Sequence, residues 1–113
     1  MTRDFRTPAQ SDSAPTRRPA RIAVAGEALV DELPAPSADA RPLLRPGGSP
    51  YNVAIGLARL QVPVALHAAV GGDDAGRLLR DHAARNGVDV TRLRAVAEPT
   101  MRASVVVDSV GEA

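Results

Sequence analysis

Residues 43–60, LLRPGGSPYNVAIGLARL, set two glycines, a serine and a proline directly in front of an amphipathic run. Two residues without Cβ let other groups approach the backbone closely. Ser49 suits an N-cap, and Pro50 suits the first helical position, where a missing N–H costs nothing. The spacing predicts a helix to about Leu60, with Val53, Leu57 and Leu60 at i, i+4 and i+7 forming its buried face. Gly47 and Gly48 leave N–H groups open before a helix N-terminus, where the macrodipole favours a polar or anionic ligand. Asn52, in the first turn, adds both a donor and an acceptor, so a polyol fits there. A plain tight turn with a cap accounts for the same pattern.

Around this segment the chain alternates apolar runs and helical periodicity. Ile22–Ala25 is a short apolar run ended by Gly26, and VPVALHAAV at 62–70 is a second, ended by Gly71-Gly72. Both suit strands buried on two faces. Asp73 or Asp74 can cap the next helix, with Leu78, Leu79 and His82 inward and Asn86-Gly87-Val88 as its stop. Strand, helix, strand, helix in this order predicts right-handed parallel βαβ units, an α/β fold. RPLLR at 41–45 is an extended segment that Pro42 and Pro46 confine to a sheet edge or a lid. Residues 91–97 and 101–107 read as two more strands, separated by Glu98-Pro99, and DSVGEA as the turn of a hairpin. Residues 1–20 mix Pro, Ser, Thr and Arg without apolar periodicity and are expected to be a disordered extension, a transit peptide being the alternative.

Several function classes are excluded by what the chain lacks. All 14 basic residues are Arg, so no P-loop lysine exists. The absence of cysteine removes disulfides, thiolate metal sites and a cysteine nucleophile, and is compatible with a reducing, cytoplasmic setting. Only Gly26 follows the first strand, where a dinucleotide fingerprint needs three glycines. A formal net charge of +1 gives no electrostatic reason for a nucleic-acid or membrane partner. No apolar run approaches the ~20 residues of a membrane-spanning helix. His67 and His82 lack partners at metal-ligand spacing and read as structural. Arg77, Arg80 and Arg85, beside Asp73, Asp74 and Asp81, read as a solvated helix face.

Asp31 follows GEALV, in what the spacing makes a loop beyond the first strand, where open parallel sheets bind ligands. A carboxylate there accepts two hydroxyl hydrogen bonds; a solvated loop acid is the competing reading. Arg102, in the last strand, is a further candidate for a substrate contact, set against a solvated guanidinium.

Taken together, these segments resemble the ribokinase-like (PfkB) carbohydrate kinases over residues 21–113. Gly47, Gly48, Pro50, Asn52, Ala54 and Gly71 fall on that family's first signature. GEALVD matches its first strand and sugar-binding aspartate, at Asp31, and GGDDAGRLL its second-helix opening, with Gly71, Asp73, Gly76 and Arg77 in register. Gln61 departs from the pattern, which has a helix-ending glycine there, so strain is expected at that helix end.

The resemblance implies the N-terminal part of a ribokinase-like fold, a Rossmann-like parallel sheet with β lid strands. It also implies phosphoryl transfer from ATP, with Mg2+, to a hydroxyl of a small sugar, fructokinase-type segments being the nearest in texture. Asp31, Gly47, Gly48 and Asn52 are the implied sugar contacts, and lid strands of this family can pair between subunits into a homodimer. The family's G-A-G-D segment, with its catalytic base and anion hole, has no counterpart in these residues. The expectation is therefore a sugar-binding portion, inactive by itself, with an open sheet edge and an uncovered apolar face. A non-catalytic sugar-binding or regulatory module, and a truncated product without function, stand as rivals.

Overall fold

The computed structural model describes residues 19–106 and 108. The extension expected over 1–20 lies outside the described residues except for Pro19 and Ala20, and most of the DSVGEA turn lies outside them too.

Two three-stranded sheets make up the fold. The first is parallel, in the order β1-β4-β5, from β1 (Ile22–Ala25), β4 (Val64–Gly71) and β5 (Leu93–Val96). Both steps move the same way across this sheet, so right-handed connections place α1 (Ser49–Arg59) and α2 (Asp74–Arg85) on one face. Register agrees: Val24 pairs with Leu66 and Ala68 with Leu93, all packed in or against the core. The opposite face carries Ala23, Ala25, His67, Ala69 and Arg94, all exposed.

The second sheet has the order β3-β2-β6, from β2 (Leu29–Leu33), β3 (Leu43–Gly47) and β6 (Met101–Ser104). β2 runs antiparallel to β3 and parallel to β6. β3 is an edge strand, as Pro42 and Pro46 require. β2 is a correction to the sequence reading, which left Asp31 in a loop: Asp31 is the central residue of a strand. Three residues, Gly26 to Ala28, turn the chain from one sheet to another, and hydropathy alone does not register so short a change of direction. Val30 of β2 is fully buried and joins the core, tying the second sheet to the helices.

Helix α1 differs from expectation at its start and in its buried face. Gly48, with φ 100, is the N-cap and no side chain caps the helix, so Ser49 is already helical. The chain turns at the one residue free to adopt that φ. Tyr51, Ala54 and Ile55 are buried, whereas Val53 is 53% exposed and Leu60 74%. Apolar residues surround this helix, so periodicity does not select its face; partners do. The Tyr51 hydroxyl donates to the Leu79 carbonyl at 2.7 Å and lies 2.9 Å from His82 Nδ1, with the rings stacked. A buried phenol needs such partners, and this one fixes α1 against α2.

Both helices end in the same way. Gln61 N–H donates to Ala58 O and Val62 N–H to Leu57 O; Gly87 N–H donates to Ala84 O and Val88 N–H to Ala83 O. These are Schellman pairs. Each needs a left-handed residue, which is Gly87 at φ 92 in α2 but Gln61 at φ 68 in α1. The strain expected at Gln61 is present.

Two outcomes follow from these contacts. Gln61→Gly raises stability by about 1 kcal/mol in urea denaturation, since it removes a left-handed side-chain residue. Burial first, then the Arg85 and Arg59 charges, lowers the His82 pKa below 6.5. Protons therefore bind the unfolded chain more readily, and stability falls as pH drops below 6.5 toward the folded-state pKa. His82→Gln removes that part of the slope in urea midpoints measured between pH 7.5 and 5.5.

Candidate functional site

The carboxyl end of β1 meets the amino end of α1 through three glycines. A Cβ at Gly26 would come 2.4 Å from Pro50 Cγ, and one at Gly48 would come 3.1 Å from the Glu27 carbonyl. A Cβ at Gly47 would lie 2.7 Å from Asp31 Oδ2 and 3.2 Å from its Cγ. The Asp31 carboxylate thus lies directly over Gly47, in space that only glycine leaves open. This coupling between Gly47 and a residue 16 positions away was not legible in the sequence.

Alternation within β2 divides the second sheet, β3-β2-β6, which forms the β lid, into two faces. Val30 and Glu32 share one face with Leu44, Pro46, Arg102 and Ser104, their register partners. Asp31 shares the other with Arg45 and Ala103. Arg102 is engaged there with Glu32, its Nη1 3.4 Å from Oε2, and Ser104 Oγ is also 3.4 Å from that carboxylate. The structure therefore does not bring Arg102 together with Asp31.

Asp31 is half-buried and has no hydrogen-bond or ion-pair partner among the described residues. Asn52 lies one helical turn beyond Gly48, its N–H donating to the Gly48 carbonyl at 2.9 Å. Its exposed side chain likewise has no partner among the described residues, while the adjacent Tyr51 points into the core. Glu27, which sequence reasoning passed over, adds an exposed carboxylate, its Cγ 3.3 Å from where a Gly48 Cβ would be. The only sequence signal for it was its position just after a glycine-terminated strand. The site thus joins Asp31, Gly47 and Gly48 by direct approach, with Asn52 one turn along. It offers carboxylate acceptors and an amide at a place where hydroxyl groups can be bound.

Neither histidine belongs to this site. His82 is held by Tyr51, and His67 lies on the bare face of the parallel sheet. Among the described residues no three or more His, Cys, Asp or Glu gather to hold a metal ion, and no helix is long and apolar enough to cross a membrane.

The chain is 42% identical over 93 residues to a fructokinase of Klebsiella pneumoniae, covering 81% of this chain and 30% of that protein. The fructokinase structure from Vibrio cholerae superposes with a TM-score of 0.73 at 33% identity, covering 82% of this chain and 32% of that one. Aminoimidazole riboside kinase from Salmonella enterica, solved with aminoimidazole riboside and an ATP analogue, superposes with a TM-score of 0.68 at 38% identity, covering 74% and 28%. The chain thus spans less than a third of each relative's length. Residues 20–113 match the model of the pfkB family carbohydrate kinases, and the chain belongs to that family.

Proposed function

We propose that residues 21–113 are the sugar-binding portion of an ATP-dependent carbohydrate kinase of the fructokinase type. The observation that carries this is the Asp31 carboxylate, half-buried over Gly47 and without a protein partner among the described residues. An acceptor partly withdrawn from water and left unpaired by the protein gains from hydrogen-bond donors of a ligand. Two adjacent hydroxyls of a sugar satisfy both carboxylate oxygens at once, and the Asn52 amide supplies a further donor and acceptor.

The same groups do not fit a nucleotide triphosphate. Glu27 and Asp31 flank the glycine pair with negative charge, against which Arg45, across from Asp31, sets a single cation. The work of this portion is to bind and orient the acceptor sugar and, through the lid sheet, to shield it from water. Orientation and water exclusion are large contributions in phosphoryl transfer, where little covalent chemistry falls to the protein. ATP and Mg2+ would then be held by the part of the fold that the relatives have beyond this span.

The parallel sheet supports that division. Parallel sheets are covered on both faces, yet Ala23, Ala25, His67 and Ala69 are exposed on one of theirs. β1 is an edge strand, and Val53 and Leu60 lie exposed on the helix that packs against it. Small side chains on that bare face admit a closely packed helix. A pairing of lid strands between two copies, in the manner of a homodimer, would bury Leu43 and Met101, which are 46% and 56% exposed on the Asp31 face.

Fructose is the proposed sugar because relatives named fructokinase recur; a riboside is the second reading, carried by the similarity to aminoimidazole riboside kinase. Calorimetric titration of the chain with D-fructose and with aminoimidazole riboside separates them, the tighter ligand identifying the class. Asp31→Asn weakens the bound sugar by about 10–100-fold, the worth of a hydrogen bond to a charged group. Gly47→Ala has a similar effect, by displacing that carboxylate. Unchanged binding in both variants would remove Asp31 from the site.

A further inference from the structure

Beyond the sugar contacts, the chain joins its two sheets at one polar node that the site itself does not use. After β5, residues 98–100 run back over the end of β4 and enter β6. A Cβ at Gly71 would come 2.6 Å from Glu98 O and 2.7 Å from Thr100 N. Thr100 is 4% exposed, a polar side chain buried where the two sheets meet. Its Oγ1 accepts from Gly71 N–H at 2.9 Å and donates to Asp73 Oδ1 at 2.5 Å. Its N–H donates to Asp73 Oδ2 at 3.0 Å. Asp73 Oδ1 also accepts from Gly76 N–H at 2.9 Å, capping α2.

One carboxylate therefore holds three donors, two of them from the residue that immediately precedes the lid strand β6. Packing there is close: a Cβ at Gly76 would come 2.0 Å from Gly71 O and 3.1 Å from Thr100 Oγ1. Capping α2 needs only one carboxylate oxygen. The second oxygen, spent on the Thr100 backbone, serves the junction between the sheets. These bonds, the Thr100 hydroxyl first, hold the Asp73 carboxyl at about 2, below its ordinary 3.8, so it is ionised wherever the chain is folded near neutrality.

We propose that Asp73 is a positioning residue: with Thr100 it latches the lid strand β6 to the end of β4 and the start of α2. β6 pairs with β2 in the register Asp31 to Ala103, so the latch sets where the Asp31 carboxylate stands relative to Gly47 and α1. Its bearing on ligand binding rests on the sugar reading of Asp31; the latch itself does not.

The test is residue-resolved amide hydrogen exchange on the whole chain, comparing wild type with Asp73→Asn, Thr100→Val and Thr100→Ser. Asparagine still caps a helix well, so Asp73→Asn spares α2 while weakening the hold on Thr100. Thr100→Val keeps the shape and removes the hydroxyl. Expected is exchange about tenfold faster over Met101–Ser104 in Asp73→Asn and Thr100→Val, with Leu66 and Leu79 unchanged and Thr100→Ser like wild type. Unchanged exchange in β6, or equal acceleration of Leu66 and Leu79, overturns the latch. In a second readout, D-fructose affinity falls in Asp73→Asn with the β6 exchange. Wild-type binding that survives Asp73→Asn intact overturns the link to Asp31. Wild type that binds no D-fructose overturns the fructose reading, and the exchange result then decides the latch alone.

Discussion

The Asp31 carboxylate and the missing side chain at position 47 form the contact on which the rest of the site depends. An atom at Cβ of residue 47 would stand 2.7 Å from Oδ2, closer than side-chain carbons approach, so the acid and the glycine presuppose each other. Gly48 then turns the chain at φ 100 into α1, and Gly26 admits Pro50 against the end of β1. Three absent side chains thus bring a lid strand, a parallel strand and a helix start together at one point. The carboxylate that results has no partner of its own among the described residues, and that is what supports the proposal that it is a ligand group rather than a structural one.

Around this point the protein divides its labour between two sheets. The parallel sheet and its helices supply the core, with Tyr51 bonding α1 to α2 through the Leu79 carbonyl and His82. The lid sheet carries Asp31 and is tied down by Val30, sunk in the core, by Leu44, packed against it, and by Thr100, held by Asp73. A lid held apolarly at its middle strand and by hydrogen bonds at its third can keep its register yet still yield at the polar end. For the proposed sugar-binding role, such a lid would join fixed recognition to access.

Much of this was legible in the sequence because the relevant signals are local. Glycine-terminated apolar runs gave β1 and β4; Asp73 or Asp74 as N-cap, of which the structure uses Asp73, and Asn86-Gly87-Val88 as stop bounded α2; and Gln61 stood out where a helix end wants glycine. The failures share a physical cause, which is that non-local partners decided them. β2 escaped because only Gly26 to Ala28 separate it from β1, and a change of sheet has no hydropathic period. The buried face of α1 was misplaced because Tyr51, not Val53 or Leu60, finds hydrogen-bonding partners in α2. Ser49 lost the cap to Gly48 because the turn needed a positive φ. Arg102 was a candidate substrate contact set against a solvated guanidinium, and its register with Val30 puts it on the lid face opposite to Asp31.

The central claim, that a sugar is gripped between Asp31 and the glycine-helix junction, is tested most directly by amide NMR of the chain titrated with D-fructose. The account predicts saturable shifts clustered at Asp31, Gly47, Gly48 and Asn52. A cavity of about 450 Å3 lies at the other end of the strands, lined by residues that include Gln61, Val64, Gly87 and Asp89. Saturable shifts confined to that cavity, or none at the Asp31 cluster, would contradict it.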